Sequence, residues 1–312
     1  MAKKESNKEI NKPAAAISGR TRKLSKSQQR AKAKKQAKNQ KPLPGSFKLT
    51  ARVIATLWKF WKPLGGIFII YVALNAIFVT GLISGLDGTA SRLAQSHGLS
   101  NAVRGFGSLL GSGTSVSTTG VSMAQTVLLI LESLVIIWAL RQLLAGEKIK
   151  VKQAYYQATA PFIPFILVFI VIIQQLLPLV AGSAILSLVL VSAVATNALV
   201  TVVAYIVLGL LAAWSAYMIS GSIFALYIVT LPNMQPRQAL RSAKNLVHYR
   251  RWEVLRRLVF LPIAVLLLMA IIIVPVILIA SFAVAISFFI LSLLAVLFVH
   301  TYLYSLYRGL IA

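Results

Sequence analysis

Residues 236–258 read PRQALRSAKNLVHYRRWEVLRRL, a polar island between two long apolar blocks in the C-terminal third of the chain. Pro236 suits the first position of a helix, where its missing N–H leaves nothing unsatisfied. From there Ala239, Leu240, Ala243, Leu246 and Val247 recur at helical spacing and form one apolar stripe. Arg237, Arg241, Lys244, His248 and Arg251 repeat at the same period, turned by roughly 100–130° around the axis. A helix divided in this way is expected to lie in a membrane interface. Arg250, Arg256 and Arg257 extend the charge to seven basic residues between two apolar blocks, which places this side in the cytoplasm.

Composition supports a membrane setting. The 312 residues are 58% hydrophobic and 12% charged, with mean hydropathy +0.81, and the apolar runs exceed what a buried core helix needs. The net charge of +26 is concentrated at one end, because 18 of the 32 lysines and arginines precede Leu64. Without cysteine, the chain has no disulfide, no cysteine-held zinc or iron–sulfur centre, and no thiol catalysis. The first strong apolar run begins beyond residue 60, behind a Lys-rich segment, so no cleavable signal peptide is expected.

Two regions follow: a disordered basic cytoplasmic tail over 1–45, and a six-helix membrane domain over 46–312. The tail has no aromatic residue and no apolar period, and it closes on Lys41-Pro42-Leu43-Pro44-Gly45. Three uses fit it. Lysines near an anionic phospholipid leaflet contribute about 1 kcal/mol each. The same charge would suit ribosomal RNA, although base-stacking aromatics are missing. A solubilising extension that only sets orientation is the third. No DNA partner is expected.

Residues 47–62, FKLTARVIATLWKFWK, form a second basic amphipathic segment, with Trp58, Phe60 and Trp61 at headgroup depth. The first span is expected at 63–83, followed by a long polar outer loop over 85–123 that holds His97. Its glycines lack the Gly-Lys-Ser/Thr of a phosphate cradle. The second span, 125–144, leads to a third basic segment, GEKIKVKQAYYQATA over 146–160, with Lys148, Lys150 and Lys152. The apolar block 161–231 is long enough for three crossings, but three would put the 236–258 charges outside. Two spans are therefore expected, at 161–180 and 202–228, with 182–199 as a partly inserted or interfacial hairpin. The last two spans fill 258–308 around a tight turn near Ala280-Ser281. Pro262 is expected in the first turn of the fifth helix, and Pro275 should kink or end it. Tyr302, Tyr304 and Tyr307 suggest an aromatic belt at the cytoplasmic face. The expected fold is thus all-α and integral to the cytoplasmic membrane, with both termini cytoplasmic. Val151-Lys152-Gln153-Ala154-Tyr155 aligns with Pro236-Arg237-Gln238-Ala239-Leu240, hinting at three repeats of an in-plane helix followed by a hairpin.

Glu132 is the one ionisable residue expected deep in a span, where a charge costs about 2.5–3.5 kcal/mol, so it is either protonated or paired. Arg141, nine positions on, faces away from it, which leaves Asn75, Gln174, Gln175 and His300 as candidate partners. The group reads either as a proton or cation site or as a hydrogen-bonded clamp between helices. His300 reads as a packed or hydrogen-bonded residue, and the three histidines have no chelating spacing, so no metal or other cofactor is expected. No paired carboxylates and no Ser–base motif are visible, which argues against an enzyme.

Gly146-Glu147-Lys148 with Gln153-Ala154-Tyr155, and Ala239-Leu240-Arg241-Ser242 with Leu246-Val247 and Trp252, carry a resemblance. From about Trp58 to the C-terminus, the chain resembles the membrane domain that accompanies some bacterial glycerophosphodiester phosphodiesterases. It is equally similar to stand-alone six-span bacterial membrane proteins without assigned activity. The resemblance implies a bacterial membrane protein of six spans. The catalytic barrel of the phosphodiesterases is absent, and the Lys-rich tail departs from the pattern. Three functions are expected to compete. One is a non-enzymatic protein that organises lipid or partner proteins at the anionic inner leaflet through Arg237, Arg241, Lys244, Arg250, Arg251, Arg256, Arg257, Lys148, Lys150 and Lys152. Another is a small transporter or channel using Glu132. The third is a ribosome-docking insertion factor.

Overall fold

The computed structural model describes residues 44–78, 119–191, 198–232, 234–279 and 283–311. Of the expected tail only Pro44 and Gly45 are among these residues, and of the expected outer loop only 119–123, which are helical; His97 and the turn at Ala280-Ser281 lie outside them. Every regular element among the described residues is a helix, and there is no strand among them. Ten helices follow in order: α1 Ser46–Lys59, α2 Trp61–Phe78, α3 Thr119–Ala145, α4 Val151–Ala158, α5 Phe162–Val191, α6 Ala198–Ser222, α7 Ala225–Ile228, α8 Pro236–Val247, α9 Arg251–Ile279 and α10 Val284–Ile311. Six of them, α2, α3, α5, α6, α9 and α10, contain stretches long and apolar enough to cross a membrane.

Helix α3 is central. Glu132 to Ile137 are buried without interruption, as are Ala139 and Leu140, because α2, α4, α5 and α10 pack around it. At the opposite extreme, the α5–α6 pair leaves Leu188, Leu199, Leu210 and Trp214 exposed. Such a contiguous apolar surface is stable against lipid and a liability in water. Helix α3 ends on Gly146, whose φ of 90° is the left-handed conformation that glycine tolerates. The Gly146 N–H bonds Leu143 O at 3.2 Å, and the Glu147 N–H bonds Gln142 O at 3.0 Å. These two bonds close the helix end and turn the chain back along α3 as α4.

Short helices α1, α4 and α8 precede α2, α5 and α9. Each buries one side at fourfold spacing: Leu49 and Val53, Ala154 and Ala158, and Ala239, Ala243 and Val247. The small residues on α4 and α8 let those helices sit close against the bundle. Gly66 does the same on α2, where an added Cβ would lie 2.8 Å from Val151 Cγ2. One end of the bundle collects the basic groups and is cross-tied by three arginines. Arg141 Nη1 donates to Thr230 O at 2.9 Å, Arg257 Nε to Pro44 O at 3.0 Å, and Arg308 Nη1 to Leu144 O at 3.4 Å.

Several sequence expectations change. Residues 236–258 are two elements: α8 stops at Val247 and α9 starts at Arg251, with a turn between in which the Arg250 N–H bonds Val247 O at 2.9 Å. Consequently Pro262 lies well inside α9, which also runs through Pro275 to Ile279. The apolar stripe of α8 faces α6 and α7 of its own bundle, which have apolar side chains to meet it. The expected hairpin over 182–199 is, up to Val191, a continuation of α5. Nothing after Pro178 breaks the helix, and the glycine at 182 lets Leu211 of α6 approach its backbone. Tyr302 and Tyr304 are buried instead of forming a belt, because α10 packs against α1 and α3 where those rings lie.

Candidate functional site

Two polar chains leave adjacent positions of α3 in different directions. Glu132, 1% exposed, accepts a hydrogen bond from the Tyr155 hydroxyl of α4, 2.9 Å from Oε2. The same hydroxyl lies 3.3 Å from Ile67 O of α2, so one phenol joins three helices. Burial, and then the nearby Glu132, hold the Tyr155 hydroxyl well above the usual tyrosine range. It therefore stays a donor at any physiological pH.

Next to Glu132, Ser133 Oγ donates to Leu129 O at 2.6 Å and so accepts from His300 Nε2 of α10 at 2.9 Å. That donation assigns the Nε2–H tautomer, which leaves Nδ1 to accept from the Tyr227 hydroxyl of α7 at 3.2 Å. The Tyr227 ring also stacks on Tyr307, with centroids 5.9 Å apart. Arg141 completes this side. Its guanidinium binds Tyr227 O at 3.4 Å, Thr230 O and the Thr230 hydroxyl, closing the carbonyl end of α7.

Three of the candidate partners expected for Glu132 are engaged elsewhere and the fourth is exposed. Asn75 is buried and donates to Tyr71 O of its own helix at 3.0 Å. Gln175 accepts from Ser222 of α6, Gln174 is exposed, and His300 belongs to the second chain. Tyr155 is the partner instead. Its signal was visible as a tyrosine beside the Ala154/Ala158 pair, whose spacing marks the packed side of α4. No basic side chain forms an ion pair with Glu132 among the described residues. Nor does any group of three or more metal-ligating side chains occur among them.

Chemically, the Glu132–Tyr155 pair has two complete hydrogen-bond arrangements. A carboxylate accepts from Tyr155. A carboxylic acid donates to Tyr155, which then donates to Ile67 O. Passing between them reverses one bond without moving a heavy atom.

The basic residues divide by burial. Arg237, Arg241, Lys244, Arg256, Lys148, Lys150 and Lys152 are exposed, and Arg250 and Arg251 are half-buried. Arg257, expected among the lipid-facing set, is only 3% exposed. Its Nη1 donates to Glu253 O at 2.9 Å and lies 3.5 Å from the Glu253 carboxylate, while Nε holds Pro44 O. It is a structural arginine because α1 and its approach cover it.

These features define an all-helical, multi-pass membrane protein with a buried polar centre and a basic end. Comparison with family models, with curated proteins and with solved structures finds no match.

Proposed function

We propose that this chain is a non-enzymatic, polytopic protein of a bacterial cytoplasmic membrane, with its basic end and both termini in the cytoplasm. It binds anionic phospholipid headgroups there and organises lipid or partner proteins at the inner leaflet. The observation that carries this reading is the docking of α8. Ala239, Ala243 and Val247 are used up inside the bundle, which leaves Arg237, Arg241 and Lys244 exposed together on the other side. A headgroup layer is the natural partner for such a face at the end of apolar helices. Lys148, Lys150, Lys152 and Arg256 extend it, and the Lys-rich tail over 1–45 adds reach toward the same leaflet or toward a ribosome. The likeness to the membrane domain found with glycerophosphodiester phosphodiesterases belongs to the same proposal. The test is enrichment of fluorescent phosphatidylglycerol around the reconstituted protein. Replacing Arg237, Arg241 and Lys244 together by Gln should abolish enrichment at low salt, and unchanged enrichment would defeat the reading.

A second reading, a small transporter or channel, is favoured by Glu132 being buried without an ion pair among the described residues. Glu132→Gln would then remove a pH-dependent proton or cation flux from proteoliposomes. An unchanged flux would leave only the clamp.

A further inference from the structure

Between α5, α6, α8 and α9 lies a cavity of about 530 Å³, lined by Gln175, Trp214, Met218, Ser222, Lys244 and Arg251 among others. Its size is that of a small-molecule site. Arg251 is held in one orientation: Nη1 donates to the Tyr217 hydroxyl, and the guanidinium lies over the Tyr217 ring, 4.8 Å from the centroid. That leaves the other edge of the fork. Nε is buried without a hydrogen-bond partner, and Nη2, beside Gly221, bonds nothing among the described residues. A buried guanidinium N–H without an acceptor is costly and calls for an explanation. The Nε–Nη2 edge is also the geometry that takes two oxygens of one oxyanion.

Lys244 brings a second cation to the same cavity from α8. Ser222 donates its hydroxyl hydrogen to Gln175 and so does not offer it to an anion. The remaining wall is apolar: Val171, Trp214 and Met218, with Trp214 and Met218 on the exposed flank of α6. A fixed guanidinium and an ammonium beside an apolar wall match a phosphate ester that carries a hydrophobic group.

We propose that this cavity binds the phosphate of one anionic membrane phospholipid, with Arg251 taking two phosphate oxygens, Lys244 a third, and the lipid's apolar part against Trp214 and Met218. The site rests on the reading that the basic end meets an anionic leaflet, and it adds a single stoichiometric position to that diffuse attraction.

The test is native mass spectrometry of the full chain released from detergent with phosphatidylglycerol, phosphatidylcholine or inorganic phosphate added in turn. One phosphatidylglycerol should be retained, in preference to either alternative. Arg251→Lys keeps the charge and loses the fork, and should weaken retention about tenfold. Lys244→Gln, at an exposed position, should weaken it as well and serves if Arg251 variants do not assemble. Arg52→Gln, on the exposed side of α1, should change nothing. Retention by Arg251→Lys and Lys244→Gln equal to the parent would overturn the site. So would equal retention of phosphatidylcholine, while retention of inorganic phosphate alone would overturn the lipid assignment. Loss of leaflet enrichment in vesicles alongside a retained single lipid would sink the broader reading and leave the pocket standing.

Discussion

Tyr155 of α4 donates to the Glu132 carboxyl of α3 at 2.9 Å and reaches Ile67 O of α2 at 3.3 Å, pinning a short helix against the centre of the bundle. Removing that hydroxyl leaves a buried carboxyl without its partner, a loss of about 1–3 kcal/mol. Tyr155→Phe should therefore lower the unfolding midpoint in detergent. Glu132→Gln, which can still accept from Tyr155, should lower it less. Equal midpoints for Tyr155→Phe and the parent would mean that the bond contributes nothing.

The same phenol gives a pH dependence. Its folded-state pKa is raised, by burial first and by Glu132 next, above the ordinary tyrosine value of about 10. The stability it contributes is therefore fully present below that value and is lost as pH rises above it, once the unfolded chain ionises. Alkaline unfolding should be shallower in Tyr155→Phe than in the parent. A steeper profile in the variant would contradict the assignment.

Val151 Cγ2 occupies the space that a Cβ on Gly66 would need, at 2.8 Å. Valine is stiff at χ1 and cannot swing clear. Gly66→Ala should cost about 1–3 kcal/mol through overpacking. Adding Val151→Ala should recover part of the loss, and this coupling is readable in a double-mutant cycle. Purely additive effects would show that the contact does not limit how closely α4 approaches α2.

Arg256 and Arg257 are neighbours with opposite fates. Arg257→Gln removes charge-assisted bonds to Pro44 O and Glu253, and should cost about 1.5–3 kcal/mol. Arg256→Gln, at an exposed position, should stay within about 0.5 kcal/mol. Thermal midpoints of the two proteins decide it, and similar losses would contradict the division.

How much of this was legible in the sequence depends on range. The apolar lengths, the stripe of α8 and the burial of Glu132 rest on residues a few positions apart, and all can be read from spacing. Apolar length set the spans, and charge parity chose only between two and three crossings in the block 161–231. What escaped was tertiary. Tyr155 and Tyr156 look alike as an aromatic pair near lysines, yet Tyr156 is exposed and Tyr155 points at Glu132. Only the reversal of the chain at Gly146, which lays α4 back along α3, separates them. Arg257 was misread for a related reason: its acceptor, Pro44 O, lies 213 residues away. The His300 chain was half legible. A packed histidine was expected, but its partners Ser133 and Tyr227 come from helices whose rotation no local pattern fixes.

The orientation of the basic end is the point on which the lipid-binding role depends, and the absence of cysteine makes it directly measurable. Asn245→Cys places one thiol on the exposed side of α8. With a membrane-impermeant maleimide, intact cells should leave it unlabelled and permeabilised cells should label it fully. Labelling in intact cells would put Arg237, Arg241 and Lys244 on the outer side and contradict an inner-leaflet role.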